Sequence, residues 1–240
     1  MSLLELRGVG KSHRDGARER VVLREVSLEL DAGELVVVWG LRRSGRSTLL
    51  RVACGIEPPD VGVVLFDGRD LAHDGERVLG DGIGYCQKVF RSSEDGRVVD
   101  EVMVGLLVRG VPSATARSRA SAALERTGSE RYAGLRVGEL DAAEAVRVAL
   151  ARTLALRPRV LMIDEPVNGV DLMERDSILS LLRSLADEGI AVLASTGEST
   201  SLAGADRALS LGEGELRSSP LPELAPVVAL RAPAMRQASR

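Results

Sequence analysis

Residues 35–50, which read LVVVWGLRRSGRSTLL, contain the pattern that decides the fold of this chain. The five apolar residues 35–39 predict a buried parallel strand. A loop bracketed by Gly40 and Gly45 follows, and the residues from Ser47 onward have the composition of a helix start. A strand, a glycine loop and a helix N-terminus direct backbone N–H groups and the positive end of a helix dipole at one point. The stretch therefore predicts a phosphate-binding site.

The spacing fits the P-loop pattern G-x-x-x-x-G-K-[ST] at every fixed position except one, where Arg46 replaces the lysine. Lys11 and Lys88 are the only lysines among 32 basic residues, so a general arginine bias could have produced this change. A guanidinium is nevertheless planar and larger than an ammonium, so the exchange is not conservative at a tight phosphate site.

Composition narrows the class of protein. With 240 residues and 45% hydrophobic content, the chain can form one large domain with a subdomain. A net charge of −3 and an aromatic content of 2% argue against a nucleic-acid partner, because neither a basic face nor stacking residues stand out. Cys54 and Cys86 are isolated, so we expect neither a metal site nor a disulfide, in a reduced cytosolic setting.

The N-terminal residues lack the layout of a signal peptide, and no window is long and apolar enough to span a membrane. We therefore expect any role at a membrane to come through a partner.

The order of predicted elements indicates an α/β fold. Apolar–polar alternation predicts half-exposed strands at 4–6 and 26–30, with a charged loop over 11–20 between them. Further strands are predicted at 63–66, 83–86, 160–163, 190–194 and 208–211. Residues 98–157 have helical periodicity, with a helix that starts near Asp141, and 172–186 predict another helix. This order predicts a P-loop NTPase core with a mixed or parallel sheet and an inserted helical subdomain at about 98–157.

The composition changes near the C-terminus. Four of the nine prolines fall after residue 219, so we expect the domain to cover 1–215 and residues 216–240 to form a mobile tail. A docking segment is the alternative interpretation of this tail.

Asp164 and Glu165 directly follow the predicted buried strand 160–163. In a P-loop protein, a carboxylate there can hold Mg²⁺, and an adjacent one can orient or activate the attacking water. Such a pair alone is more often a solvated strand end, but the P-loop upstream favours the functional interpretation.

With these motifs in place, residues 3–215 resemble the ATP-binding subunits of ABC transporters. The family's elements occur in order, and they are Walker A at 40–48, the Q-loop at 84–87, the helix at 146–152, Walker B at 160–166 and the D-loop at 168–171. Residues 107–112 are similar to the lipoprotein-release and macrolide-export branch.

The resemblance implies that ATP and Mg²⁺ are the cofactors. Glu165 would be the general base, and Gln87 would sense the metal and the attacking water. Mg²⁺ would be held by Ser47, Gln87 and Asp164. His13 lies where the family often places an adenine-stacking aromatic, although a loop histidine without a role is an equal alternative. The Walker A residues implied to bind nucleotide are Gly40, Arg43, Ser44, Gly45, Arg46, Ser47 and Thr48.

The chain departs from the family pattern around the terminal phosphate. Arg43 replaces a glycine that is usual in this loop, and Gly197 stands where a switch histidine is expected. The signature is replaced by Leu140-Asp141-Ala142-Ala143-Glu144, which puts a carboxylate where a hydroxyl donor contacts the γ-phosphate of the opposite subunit. At 4 Å two like unit charges repel by about 4 kcal/mol at an effective dielectric near 20. A helix dipole offsets only about 0.3–1 kcal/mol of this.

The resemblance therefore predicts a cytoplasmic ATP-binding subunit at the inner face of the membrane. It would pair with a second ATP-binding subunit, as a homodimer or heterodimer, and with a transmembrane permease subunit. Each composite site joins Walker A and B of one subunit to the signature of the other, so either dimer leaves every site incomplete and predicts slow ATP hydrolysis. The alternatives are a non-catalytic regulatory or structural module, and a chromosome-maintenance or translation ATPase. The last lacks support from a long coiled coil, a second ATP domain or a basic surface run.

Overall fold

The computed structural model describes residues 2–16, 18–73, 82–87, 95–198 and 204–221. Its strands are β1 Leu4–Asp15, β2 Arg18–Leu30, β3 Leu35–Trp39, β4 Val61–Phe66, β5 Arg69–Asp70, β6 Ile83–Cys86, β7 Val160–Asp164, β8 Ala191–Thr196, β9 Arg207–Gly212 and β10 Glu215–Ser219. Its α-helices are α1 Arg46–Ala53, α2 Val98–Val108, α3 Ser113–Arg126, α4 Ala142–Leu154 and α5 Leu172–Asp187.

The main sheet has the order β10-β9-β3-β8-β7-β6. Its inner pairs are parallel, and β10 runs antiparallel to β9 at the edge. The apolar strands β7 and β8 are buried along their whole length, as expected where both faces of a parallel sheet are covered. The predicted α/β fold with a mixed sheet is therefore confirmed.

Alternate residues of the central strands enter two separate cores. Leu35 and Val37 of β3 pack into the cluster that contains α2, α3, α4 and α5. Val36 and Val38 face the opposite side and pack with α1 and the strands of a second sheet. Because side chains alternate across a strand, β3 contributes apolar side chains to both cores.

The second sheet is antiparallel, with the order β2-β1-β4-β5, and it was not evident from the sequence. The predicted loop over 11–20 was wrong, because Lys11, Ser12 and His13 continue β1 and pair with β2. Lys11 Nζ lies 2.8 Å from Asp60 Oδ1, and this contact together with the Ser12 N–H holds the pKa of Asp60 below its usual value. This part of the two strands has the polar composition of a loop, because backbone pairing rather than an apolar face keeps it extended.

The helical subdomain predicted at about 98–157 contains α2, α3 and α4, which pack against one another. Asp141 caps α4 as expected. Its Oδ1 accepts from the Glu144 N–H at 2.8 Å, and Glu144 Oε2 accepts from the Asp141 N–H at 3.0 Å. This reciprocal capping box satisfies two N–H groups that the first turn would otherwise leave unpaired.

The fold continues past residue 215, where the composition predicts the end of the domain. Strand β10 pairs with β9 along its length, and Trp39 Nε1 donates to Ser219 Oγ at 2.9 Å. Residues 222–240, which hold most of the expected tail, lie outside the described residues. None of the described helices is both long enough and apolar enough to cross a membrane.

We expect Cys54 and Cys86 to resist thiol reagents in the native protein. Both are buried and free of disulfides, and burial raises their pKa values to about 11 and about 12. At pH 8 a thiol of pKa 11 is about one-thousandth thiolate, the reactive form. Absorbance-based thiol titration at pH 8 should show slow labelling of the folded chain and rapid labelling in guanidinium. Labelling of either native thiol at the denatured rate would contradict this burial.

Candidate functional site

The loop between β3 and α1 has the geometry of a phosphate cradle. Gly45 has a φ of 108°, and a Cβ there would lie 2.9 Å from the Val22 carbonyl oxygen. A Cβ on Gly40 would lie 2.5 Å from the Leu211 carbonyl oxygen. Both positions therefore need glycine, because β2 and β9 pack directly against the loop.

Helix α1 begins at this loop with its N-terminal N–H groups open to a ligand. No side chain caps it, and no acidic residue lies in its first turn, within the described residues. The first N–H groups of a helix have no partner inside the helix, and the helix dipole favours an anion there. The N-terminus of α1 is therefore suited to a phosphate.

Arg43 and Ser44 show what the loop requires of its side chains. Arg43 has a φ of 68°, in the left-handed region, which is the physical reason that a glycine suits this position. Its carbonyl oxygen accepts a hydrogen bond of 2.7 Å from Arg20 Nη2. Ser44 Oγ is buried and has no hydrogen-bond partner among the described residues, so a polar group remains to be satisfied inside the cradle.

An ion pair joins the two halves of the site. Arg46 Nη2 donates to Glu165 Oε1 at 2.8 Å, and the two side chains are only 7% and 15% exposed. Glu165 directly follows β7 with a φ of 49°, a conformation that is uncommon for this residue type and is found at functional sites. The second guanidinium nitrogen, Nη1 of Arg46, is buried without a hydrogen-bond partner in the described structure. The pair thus uses only part of the donor capacity of Arg46.

Asp164, at the end of β7, is held from the neighbouring strand. Ser195 Oγ donates to Asp164 Oδ1 at 2.5 Å and accepts from the Glu165 N–H at 3.0 Å. Burial, together with the negative charge of Asp164, raises the pKa of Tyr85 to about 12. Sequence reasoning missed Ser195, because only the register that pairs it with Asp164 reveals its role.

Two clefts meet at the ion pair. The P-loop cleft, of about 320 Å³, is lined by His13, Arg20, Val22, Arg42, Arg43, Ser44, Gly45, Arg46, Ser47, Thr48 and Glu165. The strand-end cleft, of about 360 Å³, is lined by Arg42, Arg46, Glu165, Val167, Asn168, Thr196, Gly197 and Glu198. Arg42, Arg46 and Glu165 line both, so they form the boundary between the two clefts.

The structure brings together most of the residues predicted to form the site. His13 lies in the P-loop cleft, on strand β1 rather than in a loop, with Nε2 3.4 Å from Glu57 Oε2. Gln87 directly follows β6 and is exposed, and it lines neither cleft in the described structure. Arg20 and Arg42 also line the P-loop cleft, although Arg20 lies outside every motif and Arg42 occupies a variable position of Walker A.

A family model described as ABC transporter matches residues 23–168. The chain belongs to the ABC transporter family. The matched residues include the P-loop and both carboxylates at the end of β7.

The curated relatives agree with the branch suggested by residues 107–112. The lipoprotein-releasing system ATP-binding protein of Pseudomonas fluorescens is 33% identical over 90% of this chain and 97% of its own length. A macrolide export ATP-binding/permease protein of Paracoccus denitrificans is 31% identical over 89% of this chain. The chain spans only 33% of that longer protein.

Solved structures show the same architecture. A dimeric bacterial ABC transporter cassette superposes with a TM-score of 0.83 at 26% identity, over 92% of this chain and 100% of that one. A dimeric cassette in a post-hydrolysis state bound to ADP and Pi superposes with a TM-score of 0.82 at 26% identity over the same shares. This chain is therefore an ATP-binding subunit of an ABC transporter, as the motifs predicted.

We expect Gly45→Ala to destabilise the fold as well as the cradle. An alanine would adopt an unfavourable positive φ and its Cβ would approach the Val22 carbonyl oxygen, at a cost of about 1–3 kcal/mol. Urea unfolding followed by circular dichroism measures this change. Gly134→Ala is the matched control, because Gly134 has open space around it and no positive φ. Equal free energies of unfolding for the two variants would refute the requirement for glycine at position 45.

Proposed function

We propose that this subunit binds Mg-ATP in the P-loop cleft and hydrolyses it slowly. It closes around the nucleotide with a second ATP-binding subunit and drives transport by a separate transmembrane permease. The observation that carries this proposal is the buried ion pair between Arg46 and Glu165 at the boundary of the two clefts. Intact phosphate-binding geometry supports binding, while the state of Glu165 limits hydrolysis.

Glu165 is the candidate general base because it directly follows β7 and lines the P-loop cleft. In the structure its Oε1 accepts a hydrogen bond from Arg46, so a water at this oxygen has to share it with the guanidinium. Hydrogen bonds to charged groups contribute about 1.5–3 kcal/mol each. A base that must first loosen such a contact raises the barrier to hydrolysis, which agrees with the reduced turnover predicted from the motifs.

The donor set fits Mg²⁺. Ser47 offers a hydroxyl in the P-loop cleft, and Asp164 is a buried carboxylate whose Oδ1 is oriented by Ser195. Hard oxygen donors such as these are the ones that Mg²⁺ takes, usually with several of its own waters retained. The register pairs Cys86 with Ile163, so Gln87 follows at the level of Asp164 on the adjacent strand. When bound, the metal neutralises charge on the β- and γ-phosphates.

The surface that would meet the second subunit has two features that would disfavour closure around ATP. Asp141 is exposed at the start of α4, and its carboxylate serves as a cap within its own helix. If this helix start faces the γ-phosphate held by the partner, as the family implies, the negative charge opposes closure. Gly197, at the other family position near that phosphate, offers no side chain to hold it.

The proposed permease partner rests on the relatives and on the helical subdomain. The macrolide export relative is named as an ATP-binding/permease protein, and this chain matches one third of it. Val104, Leu107 and Val108 of α2 expose apolar side chains on the subdomain that the family uses for docking. The subunit would then lie at the inner face of the cell membrane through this partner.

A non-catalytic module is the second candidate function. Arg46, Asp141 and Gly197 favour it, whereas the retained Asp164 and Glu165 and the intact cradle favour ATP binding.

Calorimetry with Mg-ATP should detect binding to the isolated chain. ATP turnover should be at least about tenfold below that of the Pseudomonas fluorescens relative assayed beside it, since an unimpeded general base contributes about 10²–10⁴-fold. Glu165→Gln should retain binding and remove the remaining turnover. Absence of measurable affinity would support the non-catalytic module, and turnover equal to the relative's would refute slow hydrolysis.

We expect Asp141→Ser to strengthen ATP-dependent self-association. Serine keeps a cap of similar quality but removes the charge, so the free energy of unfolding should change by less than about 0.5 kcal/mol. Sedimentation in a Glu165→Gln background, with and without Mg-ATP, measures the dimer.

Asp141→Ala separates the two effects, since it removes the charge and also the cap, at a cost of about 1 kcal/mol. Both variants should dimerise more strongly if the charge is responsible. Unchanged self-association of Asp141→Ser would exclude the carboxylate as the cause.

A further inference from the structure

The guanidinium of Arg46 lies in the space that a side chain at position 197 would enter. A Cβ built on Gly197 would be 3.5 Å from Nη2, 3.6 Å from Nη1 and 4.0 Å from Cζ of Arg46. These distances are ordinary van der Waals contacts, so a methyl group fits and any larger group pointing the same way meets the guanidinium. Positions 46 and 197 therefore share one volume.

The two terminal nitrogens of Arg46 have different surroundings. Nη2 is bonded to Glu165, whereas Nη1 is buried with no hydrogen-bond partner within the described residues. A buried donor without a partner is costly, and native structures rarely keep one without a use. Because Arg46 lines both clefts, a group that enters between them meets its guanidinium.

We propose that Arg46 takes over the place of the side chain missing at position 197 and reads the terminal phosphate of bound ATP. Nη2 positions Glu165, and Nη1 donates to the γ-phosphate. Arg46 and Gly197 then form a matched pair, in which the larger residue at 46 leaves room for no more than a methyl group at 197. This inference rests on the proposed function, because it assigns a role within the same nucleotide site.

A lysine could perform both tasks only if the carboxylate and the phosphate met at a single nitrogen. Its ammonium is one compact charge on a flexible stem, whereas the planar guanidinium presents two separated nitrogens at once. Arg46 thus acts as a phosphate-binding residue and as a positioning residue for Glu165. The changes at 46 and 197 are far apart in the sequence and are linked by one shared volume.

A double-mutant cycle on the full chain tests this pairing with Arg46→Lys, Gly197→His and the double variant. Affinities for ADP and for a non-hydrolysable ATP analogue, each with Mg²⁺, are measured by calorimetry, and thermal unfolding is measured without nucleotide. We expect Arg46→Lys to reduce the preference for the triphosphate by about tenfold or more, since a charged hydrogen bond is lost. A purely structural role would not change this ratio.

Gly197→His should lower the melting temperature and the triphosphate preference, because the ring and the guanidinium compete for the same space. In the double variant, a lysine leaves room for the ring. The combined loss of triphosphate preference should therefore be about tenfold smaller than the product of the two single losses. Gly197→Ala should unfold at a temperature close to that of the unchanged chain, because a methyl group fits there, and this variant guards against a substitution that fails to fold. Gly134→His and Arg117→Lys are controls, because they make the same exchanges at exposed positions.

If the two substitutions act independently in the cycle, positions 46 and 197 do not share one volume. If Arg46→Lys leaves the preference for the triphosphate unchanged, Arg46 does not contact the terminal phosphate. A chain that binds neither nucleotide would overturn the proposed function and the phosphate contact with it. In that case the unfolding temperatures alone decide whether positions 46 and 197 are coupled, so the two failures are distinguishable.

Discussion

The buried ion pair between Arg46 and Glu165 connects the first turn of α1 to the end of β7. These two segments lie far apart in the chain, and the pair determines what each can do. It compensates the charge of Arg46 where a helix N-terminus disfavours a cation, and it fixes the direction of a carboxylate beside the phosphate cradle. Removing either partner would leave a buried charge without compensation, which is why the two positions have to be considered together.

The ion pair depends in turn on the register of the main sheet. Parallel pairing of β3, β8 and β7 brings their carboxyl ends to one edge, where α/β proteins commonly bind ligands. The same register pairs Asp164 with Ser195. The serine hydroxyl donates to the Asp164 carboxylate and accepts a hydrogen bond from the backbone N–H of Glu165. Hydrophobic burial on both faces holds the strands in this register, since a shift of one residue would exchange the two cores.

The residues proposed to bind nucleotide and those proposed to act in hydrolysis are therefore different parts of the site. Strands β2 and β9 approach the loop so closely that Gly40 and Gly45 cannot carry a Cβ without displacing these strands. The groups that would act on the terminal phosphate are altered instead. Asp141 caps its own helix, Gly197 has no side chain, and Glu165 already holds Arg46. With the slow hydrolysis proposed above, the subunit would hold nucleotide for longer than a rapid ATPase does.

The sequence by itself determined the family, the α/β class and most of the P-loop residues, because glycine spacing and apolar runs are local signals tied to backbone geometry. It also predicted the cap at Asp141, which depends on neighbours within one turn. It did not predict the β1–β2 hairpin over residues 11–20, since these polar paired segments have no apolar period. Only the tertiary structure decided that Ser195 supports Asp164 and that Arg46 fills the space at Gly197. Both contacts join segments that are distant in the chain, and the packing of the sheet, rather than any motif, brings them together.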